Sequence, residues 1–246
     1  MQPETPPLEG VFVVIPAFRE VSRLPRVLVG LAQACAGVEV VVVDDASRDG
    51  TGAAARAHGA TVLVHPFNLG YGAALQTGYR YALSRRATCV VQMDADGQHD
   101  PADVPRLAAP VLGRECELAI GSRFREAGYR MSAAKRLGRD VFRLLGRARG
   151  LEVSDPTSGL QALGPQVLEM YVDENFPADF PDIDVLLSVH RSGLRIRELP
   201  VRMSQGERPS TLHGGLRTLY YPYKMLLSLW AGGLKPGRRS EDLRNG

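Results

Sequence analysis

Val90-Val91-Gln92-Met93-Asp94-Ala95-Asp96-Gly97-Gln98-His99 is the stretch of sequence that decides the fold. It begins as a mostly apolar run and then changes to carboxylates, glycine and polar side chains. Such a run is typical of a central strand in a sheet that helices cover on both faces. An unpaired carboxylate is costly inside such a strand. Asp94 and Asp96 are therefore predicted to lie just beyond its C-terminal end, where open α/β sheets bind their ligands.

Two carboxylates at a strand end allow two interpretations. Their oxygens favour a hard divalent cation that bridges to phosphates. Asp and Gly are also common turn residues, so the same letters are typical of a simple turn. The pair alone does not separate these two interpretations.

The composition is that of a chain large enough for one α/β domain. It has 246 residues, 44% of them hydrophobic, and its net charge of +3 gives no indication of nucleic-acid binding. Cys35, Cys89 and Cys116 lack metal-ligand spacing and are expected to be reduced core thiols of a cytosolic protein. Residues 1–10 are Pro-rich and acidic, which predicts a flexible N-terminus rather than a secretory signal.

Predicted strands alternate with helices over the first half of the chain, which indicates a mostly parallel sheet. Strands at 11–15, 38–43 and 89–93 lead into 16–20, Asp44-Asp45 and Asp94-Ala95-Asp96. Because parallel strands end at one edge, these acidic groups are expected to share one crevice. Neither a Gly-x-Gly-x-x-Gly after the first strand nor a Gly-x4-Gly-Lys-Ser/Thr is present, which disfavours a dinucleotide-binding domain and a P-loop.

Together these motifs resemble a family 2 glycosyltransferase, and most closely the polyprenyl-phosphate branch that includes dolichyl-phosphate mannose synthases. The matching segments follow the family's order and are residues 15–20, 43–51, 68–74, 93–99, 121–123 and 155–159. The resemblance implies a GT-A fold over residues 11–215: an α/β domain with a mostly parallel central sheet flanked by helices. It also implies inverting transfer from a nucleotide-sugar donor, either a UDP-sugar or a GDP-sugar.

The same resemblance assigns the nucleoside pocket to the first two strand ends. Pro16, Ala17 and Glu20 would line this pocket, and Asp45 would accept a hydrogen bond from the base. Asp94 would lie against the ribose and also belong to the metal shell.

The metal is implied to be Mg²⁺ or Mn²⁺ on the donor diphosphate, held by Asp96 with help from Asp94 and Gln98. Asp96 and Arg123 are the implied catalytic residues. A site made of oxygen ligands suits a hard cation that offsets charge on the departing nucleoside diphosphate.

The implied acceptor is a polyprenyl phosphate such as undecaprenyl or dolichyl phosphate. Arg123 would contact its phosphate, and Lys135 aligns with a second position that is usually arginine. Lysine there removes the bidentate fork of a guanidinium. Arg208 and Ser210 fall on a late motif that lacks its usual glycine in this chain.

Two other hypotheses remain open. Transfer to a hydroxyl acceptor, such as a glycan or glycolipid, would need a general base, and Asp182 or Asp184 is the candidate. Both acids also suit a helix N-terminus, where the helix dipole favours negative charge. A nucleotide-binding protein without turnover is disfavoured, because the whole acidic set is present.

Two segments bear on membrane binding. Residues 133–150 carry Lys or Arg about every four positions beside an apolar stripe, which indicates either a solvated face or a helix that faces phosphates or an anionic membrane. Residues 216–235 form an amphipathic extension, rich in Tyr and Leu, that either binds the membrane interface or packs on the core. Residues 236–246 are expected to be a disordered tail. The predicted location is the cytoplasm, with peripheral binding to the cytoplasmic face of the membrane.

Overall fold

A computed structural model describes residues 8–124, 133–173, 176–177 and 183–204, and only the backbone of residues 133–138. Several predictions lie outside these described residues. They concern residues 1–7, the side chain of Lys135, and Asp182, Arg208, Ser210 and everything else from residue 205 onward.

Strands and helices alternate through most of the described chain. The strands are β1 Val11–Ala17, β2 Glu39–Asp44, β3 Thr61–Val64, β4 Cys89–Gln92, β5 Leu118–Ser122, β6 Gln161–Leu163 and β7 Ile196–Pro200. The helices are α1 Leu24–Ala34, α2 Thr51–Ala57, α3 Tyr71–Ser84, α4 Asp103–Leu112, α5 Ala133–Arg147, α6 Pro165–Tyr171 and α7 Ile183–Arg191.

All seven strands belong to one sheet in the order β3-β2-β1-β4-β6-β5-β7. Strand β6 runs antiparallel to both β4 and β5, and the other strand pairs are parallel. The prediction of a mostly parallel α/β sheet is confirmed. One consequence of this order is that the loop before β6 lies beside the ends of β4 and β5.

Buried side chains form a core on each face of the sheet. Val14 and Val90 belong to one core, whereas Val13 and Val91 belong to the other. This division follows from the alternation of side chains along a strand. The continuous apolar strands predicted from the sequence are therefore those of a sheet covered on both faces. The three cysteines are buried and unpaired, as predicted.

Strand β1 extends two residues beyond its predicted end at Ile15. Pro16 lies opposite Val43 of β2, but β4 pairs with β1 only as far as Val14. The missing N–H of Pro16 therefore removes no hydrogen bond from the β1–β4 ladder. The extension places Ala17 beside Asp44, at the edge where the predicted site lies.

Helix α3 packs closely on β1 and β2. A Cβ atom on Gly78 would overlap a methyl group of Val14 and crowd Val43, so only glycine fits at this contact. The close approach fixes the height of the helix above the sheet, and with it the position of Tyr71 in the first turn.

The apolar stripe of helix α5 is only partly buried. Phe142 is buried, but Val141 and Leu144 of the apolar stripe are 41% and 69% exposed. The sequence predicted the helix and its apolar stripe, and the structure shows that part of this stripe is exposed at the surface. Within the described part of the chain, no helix has the length and apolar character needed to cross a membrane.

Candidate active site

The ends of β1, β2 and β4 meet at one edge of the sheet, as predicted. The backbone N–H of Asp45 donates to the carbonyl of Ala17 over 2.9 Å. Burial raises the pKa of Glu20, and the negative charge of Asp96 adds to the effect despite the nearby Arg23 guanidinium. The carboxylates of Glu20 and Asp96 are therefore close enough to repel each other.

The loop after β1 is held by the loop after β2. The N–H groups of Arg19 and Glu20 donate to the hydroxyls of Ser47 and Thr51, each over 2.9 Å. Thr51 in turn donates to Asp49 over 2.6 Å. These bonds fix the position of Glu20 relative to β2. They give the predicted nucleoside pocket a rigid wall.

Asp45 is buried and is hydrogen-bonded within the chain. Its Oδ1 lies 2.7 Å from His65 Nδ1 and accepts from the N–H of Leu69 over 2.8 Å. Its Oδ2 accepts from the N–H of Gly70 over 3.0 Å. Asp45 therefore holds the loop that precedes α3, and its predicted contact with a base remains a prediction.

Asp94 is fixed from two sides. Tyr71 donates to its Oδ1 over 2.8 Å, and Nε2 of His99 lies 3.3 Å from its Oδ2. Burial opposes ionisation, but the hydrogen bonds from His99 and Tyr71 and the charge of Arg123 outweigh it and lower the pKa of Asp94. The carboxylate is therefore ionised and oriented without any ligand.

Asp96 has the opposite environment. Burial, with repulsion from Asp94, raises its pKa, and its Oδ1 accepts from the N–H of Gln98 over 3.0 Å. In the described part of the chain, no three His, Cys, Asp or Glu side chains form a complete metal site. Two carboxylates that repel each other still fit a divalent cation whose other ligands come from phosphates or water.

Arg123, at the end of β5, is paired with Asp155. Its Nε and one terminal nitrogen donate to the two carboxylate oxygens over 2.7 and 2.6 Å, and the same nitrogen donates to the Thr157 hydroxyl over 2.9 Å. The Asp155 side chain is fully buried. The pair therefore fixes the guanidinium at the strand edge.

The loop that carries Asp155 is anchored by Glu198 of β7. One carboxylate oxygen of Glu198 accepts from the N–H groups of Ser154 and Asp155 over 2.8 and 2.9 Å. The loop continues to Gly159, where a Cβ atom would overlap Oδ2 of Asp94. A single loop thus contacts both Arg123 and Asp94.

The remaining predicted site residues have less defined surroundings. Gln98 contributes backbone groups to the turn, where its carbonyl accepts from Ser204 N. Lys135 lies in α5. Asp184 is in the first turn of α7, where it accepts from the N–H of Val185 over 2.9 Å. Its charge adds to the effect of burial in raising the pKa of Tyr171.

Sequence reasoning did not assign a role to four side chains at this edge: Tyr71, Gln92, His99 and Glu198. His99 is 4% exposed, and its Nδ1 has no hydrogen-bond partner in the described structure. Of these four residues, Gln92 gave a signal in the sequence, because it is a polar residue in the otherwise apolar strand β4.

The amino-acid sequence is similar to those of known proteins. Residues 12–169 match the model for glycosyl transferase family 2. The chain is 33% identical to an undecaprenyl-phosphate mannosyltransferase of Micrococcus luteus, over 84% of this chain and 88% of the relative. It is 31% identical to a polyprenol monophosphomannose synthase of Mycolicibacterium smegmatis, over 82% of this chain and 80% of the relative.

Solved structures share the architecture. Glucosyl-3-phosphoglycerate synthase from Mycobacterium tuberculosis, in complex with Mn²⁺ and UDP-glucose, has a TM-score of 0.66 at 25% identity, over 92% of this chain and 80% of that chain. The same enzyme with phosphoglyceric acid has a TM-score of 0.69 at 24% identity, over 92% of this chain and 81% of that chain. The fold is GT-A-like, and the chain belongs to glycosyl transferase family 2.

Proposed function

We propose that this glycosyltransferase moves a sugar, with inversion, from a nucleotide-sugar donor to a polyprenyl phosphate. The observation that carries the proposal is the carboxylate pair at the end of β4, in which hydrogen bonds fix Asp94 while burial and the charge of Asp94 raise the pKa of Asp96 despite the nearby Arg23 guanidinium. Relatives that match more than 80% of this chain are named for transfer to undecaprenyl phosphate or for polyprenol monophosphomannose synthesis.

A divalent cation, Mg²⁺ or Mn²⁺, is proposed to bind at Asp96 and Asp94, with Gln98 beside them. The similar synthase structure contains Mn²⁺ with UDP-glucose. When bound, the cation would offset the negative charge that develops on the nucleoside diphosphate as it leaves. The protein would supply the orientation: the clamped loop at Glu20, with Pro16, Ala17 and Asp45, is proposed to hold the nucleoside.

The acceptor phosphate is proposed to bind at Arg123. Its guanidinium is held by Asp155, in the loop that also packs on Asp94, so the acceptor and donor sites would be adjacent. Lys135, Arg208 and Ser210 are proposed to assist. A phosphomonoester has a second pKa near 6, so it is largely ionised at neutral pH and can attack without a general base.

The test compares two acceptors that differ only in the phosphate. The full-length protein is incubated with Mn²⁺, UDP- or GDP-sugars, and either undecaprenyl phosphate or undecaprenol. We expect a lipid-linked sugar from the phosphate alone, with the anomeric configuration opposite to that of the donor. Product from hydroxyl acceptors alone would contradict the proposal and direct attention to Asp184 as a base.

A further inference from the structure

Gln92 is an unexpected residue in the core. It occupies the last position of the otherwise apolar strand β4 and is 4% exposed. A buried amide is costly unless it is hydrogen-bonded. Gln92 lies between two tyrosines of α3: the hydroxyl of Tyr79 is 2.5 Å from its Oε1, and its Nε2 is 3.1 Å from the hydroxyl of Tyr71.

The direction of every hydrogen bond in this series follows from its last member. A carboxylate oxygen accepts, and Tyr71 donates its single proton to Asp94 Oδ1 over 2.8 Å. The oxygen of Tyr71 is then left to accept from the amide of Gln92. The amide oxygen consequently faces Tyr79, which donates to it. The series runs in one direction, from the interior of the core to Asp94.

Both tyrosines keep their protons under ordinary conditions. Burial raises the pKa of Tyr71 well above its usual value, and the charge of Asp94 raises it further. Burial also raises the pKa of Tyr79, with smaller contributions from Tyr171 and Asp94.

We propose that Tyr71 is a positioning residue for Asp94, and that Tyr79 and Gln92 fix Tyr71 in this role. The inference rests on the proposed function, because it treats Asp94 as a ligand at the donor metal. Side chains that hydrogen-bond to a metal-ligating carboxylate typically affect metal affinity by about 10–100-fold. A hydroxyl that served only the stability of the core would not affect metal affinity in this way.

The chain offers a matched control on the same helix. Tyr81 lies about 15 Å along α3 from Tyr71, at 1.5 Å per residue, and donates to Glu39 over 3.0 Å. Tyr71→Phe, Tyr79→Phe and Tyr81→Phe each delete one hydroxyl and keep the ring. The measurement is the dissociation constant of Mn²⁺ in the presence of UDP, obtained from the electron paramagnetic resonance of free Mn²⁺. Thermal unfolding is recorded for each variant, and GDP replaces UDP in a second series.

We expect Tyr71→Phe to weaken Mn²⁺ binding by roughly tenfold. Tyr79→Phe should weaken it by a smaller factor, and Tyr81→Phe should leave it within about twofold of the wild type.

Wild-type affinity in both Tyr71→Phe and Tyr79→Phe would overturn the positioning role and leave the proposed function standing. Equal losses in all three variants would also overturn it, because they would indicate general destabilisation. If the wild-type protein binds no Mn²⁺ with either nucleotide, the proposed function and this inference fail together. If Tyr71→Phe does not fold, Tyr79→Phe decides the question.

Discussion

Asp94 and Asp96 are separated by one residue and have opposite electrostatic environments. Hydrogen bonds from Tyr71 and His99 help to lower the pKa of Asp94, whereas burial and the charge of Asp94 raise the pKa of Asp96. The first carboxylate is stabilised by the protein itself. For the second, burial and the charge of Asp94 outweigh the Gln98 N–H and the Arg23 guanidinium, so an added positive charge would stabilise its ionised form, which is the property expected of a cation ligand.

Asp96→Asn is expected to make the protein more stable. A raised pKa in the folded state means that ionised Asp96 destabilises the fold at neutral pH, so a neutral amide should raise the Tm, by roughly 1–4 °C at pH 7. The gain should shrink as the pH falls through the raised pKa of the folded state and disappear below about pH 3, where the carboxyl is protonated in both the folded and unfolded states. Thermal unfolding at several pH values measures this.

The control for that measurement is Asp100→Asn. Asp100 is exposed and accepts from the N–H of Ala102 over 3.0 Å, a bond that an amide oxygen can also accept. The Asp100→Asn substitution should therefore leave the Tm unchanged. A lower Tm for Asp96→Asn at pH 7 would show that Asp96 has a stabilising partner, contrary to our account.

Gly159→Ala is expected to reduce activity by displacing a side chain of the site. Its methyl group would overlap Asp94 Oδ2. A displacement of about 1 Å can cost roughly a hundredfold in rate. The measurement is kcat/KM for sugar transfer, and Gly146→Ala is the control, since a Cβ there meets neighbours at 3.4 Å, an ordinary contact distance. Equal activity of the two variants would refute this role of Gly159.

At the scale of elements, the site depends on the antiparallel strand β6. Because β6 lies between β4 and β5, the loop that precedes it reaches both Asp94 and Arg123. This loop has little regular structure of its own and is held by Glu198 from β7. A residue near the end of the described chain therefore organises a loop about forty residues earlier.

Glu198→Ala is expected to destabilise the protein. It would leave the partly buried N–H of Ser154 and the buried N–H of Asp155 without their acceptor, at a cost of about 1–3 kcal/mol in the free energy of unfolding. Urea unfolding measures this cost. Glu198→Gln retains an acceptor oxygen and should lose less. An unchanged midpoint for the alanine variant would mean that the loop does not depend on Glu198.

Several elements could be predicted from the sequence because their signals are local. Apolar runs that end in carboxylates indicated β1, β2 and β4 and their common edge. The insertion of β6 between β4 and β5 was not predicted, since strand order depends on contacts distant in sequence. The periodicity of α5 predicted an apolar stripe but not that Val141 and Leu144 would be exposed.

The site was predicted in the same uneven way. Acidic residues at strand ends form recognisable motifs, so Asp94 and Asp96 were found. Tyr71, Gln92 and Glu198 act through hydrogen bonds to residues far along the chain or to a neighbouring strand, and nothing in their immediate sequence indicates those partners.

At the scale of the whole molecule, a polyprenyl phosphate would require the protein to approach a membrane surface. The described structure exposes Val141 and Leu144 on α5, and Arg147 and Arg149 nearby are also exposed. Apolar and basic groups together suit the surface of an anionic bilayer. Residues 216–235, outside the described structure, have a similar composition.

Deletion of residues 216–246 is expected to weaken membrane binding. The deletion removes apolar, aromatic and basic side chains that suit a membrane interface. Co-sedimentation with anionic vesicles should fall several-fold, and zwitterionic vesicles provide the control for the electrostatic contribution. Unchanged co-sedimentation of a folded truncated protein would indicate that the segment packs on the core.

The most direct test of the central claim is the rate of labelled sugar transfer to undecaprenyl phosphate. It is measured with Mn²⁺, with the metal removed by EDTA and then restored, and with Asp96→Asn beside Asp100→Asn. We predict that EDTA abolishes transfer reversibly, and that Asp96→Asn lowers the rate by roughly a hundredfold or more while Asp100→Asn does not. Transfer that persists in EDTA, or wild-type activity in a folded Asp96→Asn protein, would contradict the account.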